Sequence, residues 1–358
     1  MKNTGDRIES IDILRGLDLF LLLFIQPVLI SFAFYFDTSW SKSLSYQLDH
    51  EVWVGFRFWD LIMPLFLFLV GASMPFSFSR FKGRSDKGVL YRKIARRVVI
   101  LFLLGMIVQG NLLGFSLNSL IIYNNTLQAI AAGYLIAAII ILNFGIRGQI
   151  IATFLLLIIY SIPMAIYGAY EPDRSFAYRV DEIIIGKFRG DLTYTWIWSS
   201  LTFGATVMFG AISGYFIKKF HNSARLRTVV ILSLGGAGLI IAGLLAGAFE
   251  PIIKRIWTSS MTLFSAGICM VLLALFYWII DMSHLSYGLK WLKIYGTNAI
   301  TAYCIGEVIN FRSVVDSLTY GLQPITGDWY PFILTVGNVS VLFLILYILY
   351  RSKIMIKV

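Results

Sequence analysis

Charge is scarce in this chain. Of 358 residues only 14% are Asp, Glu, Lys or Arg, against roughly 25% in a soluble domain. Hydrophobic residues make up 58%, and the mean hydropathy is +0.78. No water-soluble fold of this length hides that much apolar surface, so a soluble enzyme or binding module is excluded. Cysteine is nearly absent: Cys269 and Cys304 each lie inside an apolar run, which excludes a disulfide framework and a cysteine metal site. The three histidines, His50, His221 and His284, form no helical i, i+4 pair and have no carboxylate at ligand spacing, so no metal is expected. Linkers rich in Pro, Gly or Ser, low-complexity tracts and internal repeats are also missing, which leaves one membrane domain over 1–358 as the expectation.

What is present is a series of apolar runs near the length an α-helix needs to cross a hydrocarbon core of ~30 Å at ~1.5 Å per residue. Ten occur, at 14–35, 57–79, 96–114, 126–144, 150–169, 197–217, 228–248, 259–280, 294–311 and 331–350. They are continuous rather than alternating, so a transmembrane barrel is excluded. The expected fold is an all-α integral membrane bundle of about ten transmembrane helices. The first run is long and lacks a small-residue cleavage site, so it reads as a retained helix. Both termini are then cytoplasmic, an orientation in which most Lys and Arg fall inside and most Asp and Glu outside. The net charge of +11 follows from that asymmetry and from anionic inner-leaflet lipid, so no nucleic-acid partner is implied. Small-residue pairs, Gly210 with Gly214 and Gly243 with Gly247, suit close helix packing. The segment from about Ala169 to Thr195 is the candidate lid.

Ionisable groups within spans are costly and mark polar cavities or partners. Four stand out: Arg15, Asp18, Asp60 and Glu307. Asp12 and Arg15, three apart, form a natural helical pair. His50 precedes the second span among Trp53, Phe56, Phe58 and Trp59; its imidazole suits proton transfer near neutral pH, and equally an interfacial aromatic belt. Asp60 lies too far along a straight helix to touch His50 unless the segment between them folds back.

From Arg7 the chain reads R-I-E-S-I-D-I-L-R-G. From His50 it reads H-E-V-W-V-G-F-R-F-W-D-L-I-M-P, with Trp53, Gly55, Asp60 and Pro64 at three, five, ten and fourteen residues beyond the histidine. Together these resemble the signature of the heparan-α-glucosaminide N-acetyltransferase family. Weaker matches follow in order: Leu127-Gln128, then Pro251, Lys254 and Trp257, then Gly296, Asn298 and Tyr303. Two departures stand out. Gln26 occupies a position where lysosomal members carry asparagine, with a longer stretch from there to His50, and the outer segment before the sixth span lacks an acidic Pro-Glu-Gly stretch.

The resemblance implies an acetyltransferase moving an acetyl group from acetyl-CoA to the amino group of a glucosamine-type sugar across the membrane. His50 is then the general base or the acetyl carrier. Asp60 orients the imidazole, binds the substrate ammonium or pairs with Arg57, and Gln26, Gln128 and Asn298 are candidate oxyanion donors. Trp53, Gln128, Asn298 and Glu307 are the substrate-binding candidates. Arg15, Arg92, Lys93, Arg96 and Arg97 are candidates for the CoA phosphates, although positive-inside topology alone also puts basic residues there. The partners implied are acetyl-CoA, a glucosamine-type saccharide, the lipid bilayer and a second copy of the chain; the lack of a long outer domain or organelle signal makes a bacterial inner membrane, crossed many times, the expected location. Two alternatives stay open: O-acetylation of an envelope polysaccharide on the same residues, and a secondary transporter coupled through Asp60 and Glu307, disfavoured by the lack of matched interrupted helices.

Overall fold

Backbone placed in lipid has no water to satisfy it, so apolar runs of this length must close their hydrogen bonds within a helix. A computed structural model describes residues 8–79 and 87–356, and every regular element among them is helical. Arg7, at the head of the first motif, and residues 80–86 lie outside the described residues. The described chain forms two compact units. The first runs up to Ile11 and takes in Glu51–Phe56 and Met63–His284; the second takes in Asp12–His50, Arg57–Ile62 and the chain from Leu285 on.

The first unit contains most of α4 (Ile62–Ser79), then α5 (Lys87–Val108), α6 (Thr126–Asn143), α7 (Ile146–Tyr167), α8 (Phe176–Ile184), α9 (Ser200–Phe220), α10 (Arg225–Ala246) and α11 (Ser259–Phe276). Small residues let these helices meet backbone to backbone, the packing that substitutes in lipid for a hydrophobic driving force. A Cβ on Gly210 would strike the Phe68 carbonyl of α4, and one on Gly214 the Ala72 carbonyl. Gly243 of the second expected pair lies against Phe264 of α11. The candidate lid is tied down. The Asp181 carboxylate, on α8, accepts from the Trp196 N–H at 2.7 Å and the Ile197 N–H at 2.9 Å, and the Thr195 N–H donates to the Arg255 carbonyl.

The second unit holds α1 (Glu9–Phe20) from Asp12 on, a π turn at Leu21–Ile25, α2 (Gln26–Ala33), α3 (Ser39–Gln47) and the C-terminal helices, of which α12 (Lys293–Thr297), α13 (Ala299–Val308), α14 (Arg312–Thr319) and α16 (Tyr330–Arg351) matter here. α15 (Gln323–Thr326) is a single turn. The π turn has a local cause: Pro27 has no N–H to give and its ring would crowd the Leu23 carbonyl, so the helix widens just before it.

Eight helical segments are long and apolar enough to span a membrane among the described residues, against about ten expected. Two runs account for the difference. α5 carries Arg92, Lys93, Arg96 and Arg97 in its first half. The run 294–311 is broken at Asn298 into α12 and the ten-residue α13, about half a bilayer core in length.

Two outcomes test this account. Gly210→Leu, which drives a side chain into the α4 backbone, is expected to lower the melting temperature sharply or abolish monodisperse protein in detergent, whereas Gly238→Ala, with open space around it, leaves both unchanged. Burial pushes the Asp181 carboxyl up from 3.8 to about 6, against the opposing pull of the Trp196 and Ile197 N–H groups. A carboxyl raised in the folded state stabilises the fold while protonated and loses that contribution as pH rises through the folded value. The melting temperature is therefore expected to fall between about pH 4 and 6, and Asp181→Asn to flatten that slope; an unchanged slope would count against the assignment.

Candidate active site

The site is built where α3 ends. Thr38 caps α3, accepting from the Ser41 N–H in a reciprocal capping box. After α3 the chain buries Leu48 against Trp59 and Ile62, with Leu21, Leu22, Leu29 and Leu44 packed around them. The Gln26 amide nitrogen donates to the Leu48 carbonyl at 2.8 Å, pinning α2 to the backbone two residues before His50.

Between His50 and Asp60 the chain is a loop. Gly55 sits at φ +132°, a conformation that side chains resist, and its N–H donates to the Ile252 carbonyl at 2.9 Å. The Trp53 indole donates to the Tyr170 carbonyl at 2.8 Å and packs against Tyr160, Met164, Ala177, Ile253 and Ile256. The backbone is then extended at Arg57 and closes a 3-10 turn over Phe58–Leu61. In that turn the Arg57 N–H donates to Asp60 Oδ2 at 2.9 Å, the Asp60 N–H donates to the Arg57 carbonyl, and the Phe58 N–H donates to Gln47 Oε1 at 3.1 Å.

This corrects the straight-helix expectation: α4 starts only at Ile62, the chain folds back, and Asp60 meets His50 directly. Asp60 Oδ1 lies 3.0 Å from His50 Nδ1. Asp60 is fully buried while the His50 side chain is 37% exposed. A buried carboxylate on Nδ1 selects the tautomer that donates there and leaves the lone pair on Nε2, the arrangement a general base or nucleophilic imidazole needs. Arg57 adds a cation: its guanidinium lies 3.8 Å from the Tyr46 ring centroid, donates to the Tyr46 carbonyl at 3.3 Å and comes within 4.0 Å of Asp49. Tyr46 and Asp49 have no counterpart in the sequence reading, because only the fold-back brings Arg57 to them.

The other candidates are dispersed between the two units. Both termini of the Gln128 amide are engaged by backbone, with the Asn124 N–H on its oxygen and the Ile122 carbonyl on its nitrogen. Asn298 is engaged the same way, donating to the Ile354 carbonyl and accepting from the Ile356 N–H. Backbone contacts thus hold both amides in place. Glu307 is exposed in the last turn of α13. Arg15 pairs with Asp12 at 3.4 Å. Arg92 and Arg96 are exposed on α5, and Arg97 is half-buried, 4.6 Å from the Tyr134 ring. In the second unit a cavity of about 730 Å³ is lined by Ser31, Tyr35, Ser45, Gln323, Asp328 and Tyr330 among others; Ser45 sits on α3, the helix that leads to His50.

No curated protein matches the chain significantly. Residues 7–172 match the family model described as heparan-alpha-glucosaminide N-acetyltransferase, catalytic. That stretch carries Gln26, His50, Trp53 and Asp60, and it is to the catalytic domain of that family that this part of the chain is similar.

Proposed function

We propose that this protein is a membrane-embedded acetyltransferase that moves an acetyl group from acetyl-CoA to the amino group of a glucosamine-type sugar, with His50 as general base. The observation that carries the reading is the 3.0 Å contact between His50 Nδ1 and the buried Asp60 carboxylate, within a stretch matching the family's catalytic domain. An acceptor glucosamine arrives largely as an ammonium ion. His50 Nε2 takes a proton from that nitrogen and passes it to solvent, and the freed amine attacks the thioester carbonyl. As the tetrahedral intermediate collapses, His50 relays the nitrogen's second proton to the departing sulfur, so the C–S bond breaks and CoA leaves as the thiol. Asp60 holds the imidazole in position and stabilises the imidazolium while the proton is on it.

Gln26 serves first as a positioning residue through Leu48; its amide nitrogen has a second hydrogen, suited to the developing oxyanion. The cavity beside α3 suits the acceptor, since hydroxyls, an amide and a carboxylate beside aromatic rings match the mixed polar and apolar faces of a sugar. Exposed Arg92 and Arg96, with Lys93 between them, suit the CoA phosphates, which bind in pairs of charge-assisted hydrogen bonds to guanidinium groups. With the termini on the cytoplasmic face, these basic residues meet cytosolic acetyl-CoA while His50 works near the outer face. A bacterial inner membrane fits that arrangement.

The test is thiol release from acetyl-CoA by purified protein with and without glucosamine. Wild type is expected to show acceptor-dependent release, and His50→Ala to lose it by about 10²–10⁴-fold while keeping its melting temperature. Asp60→Asn, which presents a donor to Nδ1 and reverses the tautomer, is expected to fall by a comparable factor. Full activity in either variant would remove the dyad from the mechanism, and no release with any amino sugar would remove the acetyltransferase reading.

A further inference from the structure

Hydrocarbon offers nothing to a carboxyl group, so an acid in a spanning helix ordinarily has a protein partner. Five acids show the rule. Asp12 meets Arg15, Asp60 meets His50 and the Arg57 N–H, and Asp181 meets two N–H groups. Glu250 accepts from the Ser161 hydroxyl and the Ser259 N–H, and Asp281 accepts from the N–H groups of Glu9 and Ser10 at the start of α1. Asp18 does not follow it. It lies on α1 inside the span Glu9–Ala33, is fully buried, and neither of its carboxyl oxygens has a hydrogen-bond partner.

Its position along the span narrows what could meet it. Arg15 lies three residues before Asp18, ~4.5 Å along the axis, and Gln26 eight residues after, ~12 Å. Gln26 in turn holds the backbone beside His50. The π turn begins three residues beyond Asp18, at Leu21, and such widened turns are frequent at functional sites. A donor whose polyanionic end stays in water, and whose thioester reacts near His50, must carry its connecting arm into the depth of the spans. In acetyl-CoA that arm is pantetheine, which is uncharged and carries two amides. Each amide brings an N–H and a carbonyl out of water and needs a polar partner there.

We propose that Asp18 is that partner: its carboxyl group, in the last turn of α1, binds a pantetheine amide of the acetyl-CoA donor. The assignment rests on the acetyltransferase reading and extends it to the recognition of the donor. It also predicts which substitutions are tolerated. An amide side chain at position 18 keeps an acceptor and adds a donor, whereas a leucine fits an apolar helix and offers neither.

The experiment measures binding of CoA and of adenosine 3′,5′-bisphosphate, which lacks the pantetheine arm, to purified wild type, Asp18→Asn and Asp18→Leu, with melting temperatures as the check on folding. Steady-state kinetics with acetyl-CoA and glucosamine run in parallel. Asp18→Leu is expected to weaken CoA binding and raise the KM for acetyl-CoA about tenfold, the loss of roughly one buried hydrogen bond. Its affinity for the bisphosphate and its KM for glucosamine should hold. Asp18→Asn should stay within about twofold of wild type in CoA affinity, by the same hydrogen-bonding argument. Normal CoA binding by folded Asp18→Leu would overturn the assignment alone, as would an effect confined to glucosamine or shared equally by the bisphosphate. A wild-type protein that binds no CoA would overturn the acetyltransferase reading and this assignment with it.

Discussion

A carboxylate without solvent exposure survives only where hydrogen bonds replace the water it gave up. Asp60 meets that condition with one oxygen on the Arg57 N–H and the other on His50 Nδ1. Each contact requires the others: the 3-10 turn at Phe58–Leu61 presents the N–H, Gly55 supplies the backbone conformation that brings the chain back, and Gln26 anchors the strand of chain just before His50. The orientation of the imidazole is thus the end of a chain of local solutions to the burial of a single charge. The same accounting makes Asp18, on α1, whose oxygens are unmatched, a second place where chemistry is to be sought.

The spanning helices were legible because bilayer thickness sets their length and lipid sets their composition. Legibility failed where one of those constraints is relaxed. The first half of α5 is rich in basic residues, so the apolar run at 96–114 shows only the second half of that helix, which begins at Lys87. The run 294–311 has the apolarity but is interrupted at Asn298, which hydropathy does not register. The small-residue spacing of Gly210 and Gly214 pointed to a close helix contact, and the α4 backbone lies against both.

At the candidate site the residues were legible and their contacts were not. His50 and Asp60 stood out by charge in an apolar setting and by the spacing of the motif, yet ten positions on a helix of period 3.6 separates side chains by about 15 Å. Their meeting depends on a loop whose course is set by distant residues, among them Ile252 and Tyr170. Gln128 and Asn298 show the converse. Both are polar groups in apolar surroundings, the usual sign of a binding role, but each spends its amide on nearby or C-terminal backbone, and sequence spacing carries no trace of those partners.

The partners of Asn298 also impose an order on biogenesis. They are Ile354 and Ile356, 56 and 58 positions downstream. A chain emerging vectorially from a ribosome presents the α12–α13 break to the translocation machinery well before those residues exist. Through that interval the Asn298 side chain must be met by water, lipid headgroups or insertion factors, and the break settles into its final arrangement only when Ile354 and Ile356 have left the exit tunnel. The segment after α16 is in this sense a late stitch, fastening a helix pair made some fifty residues earlier.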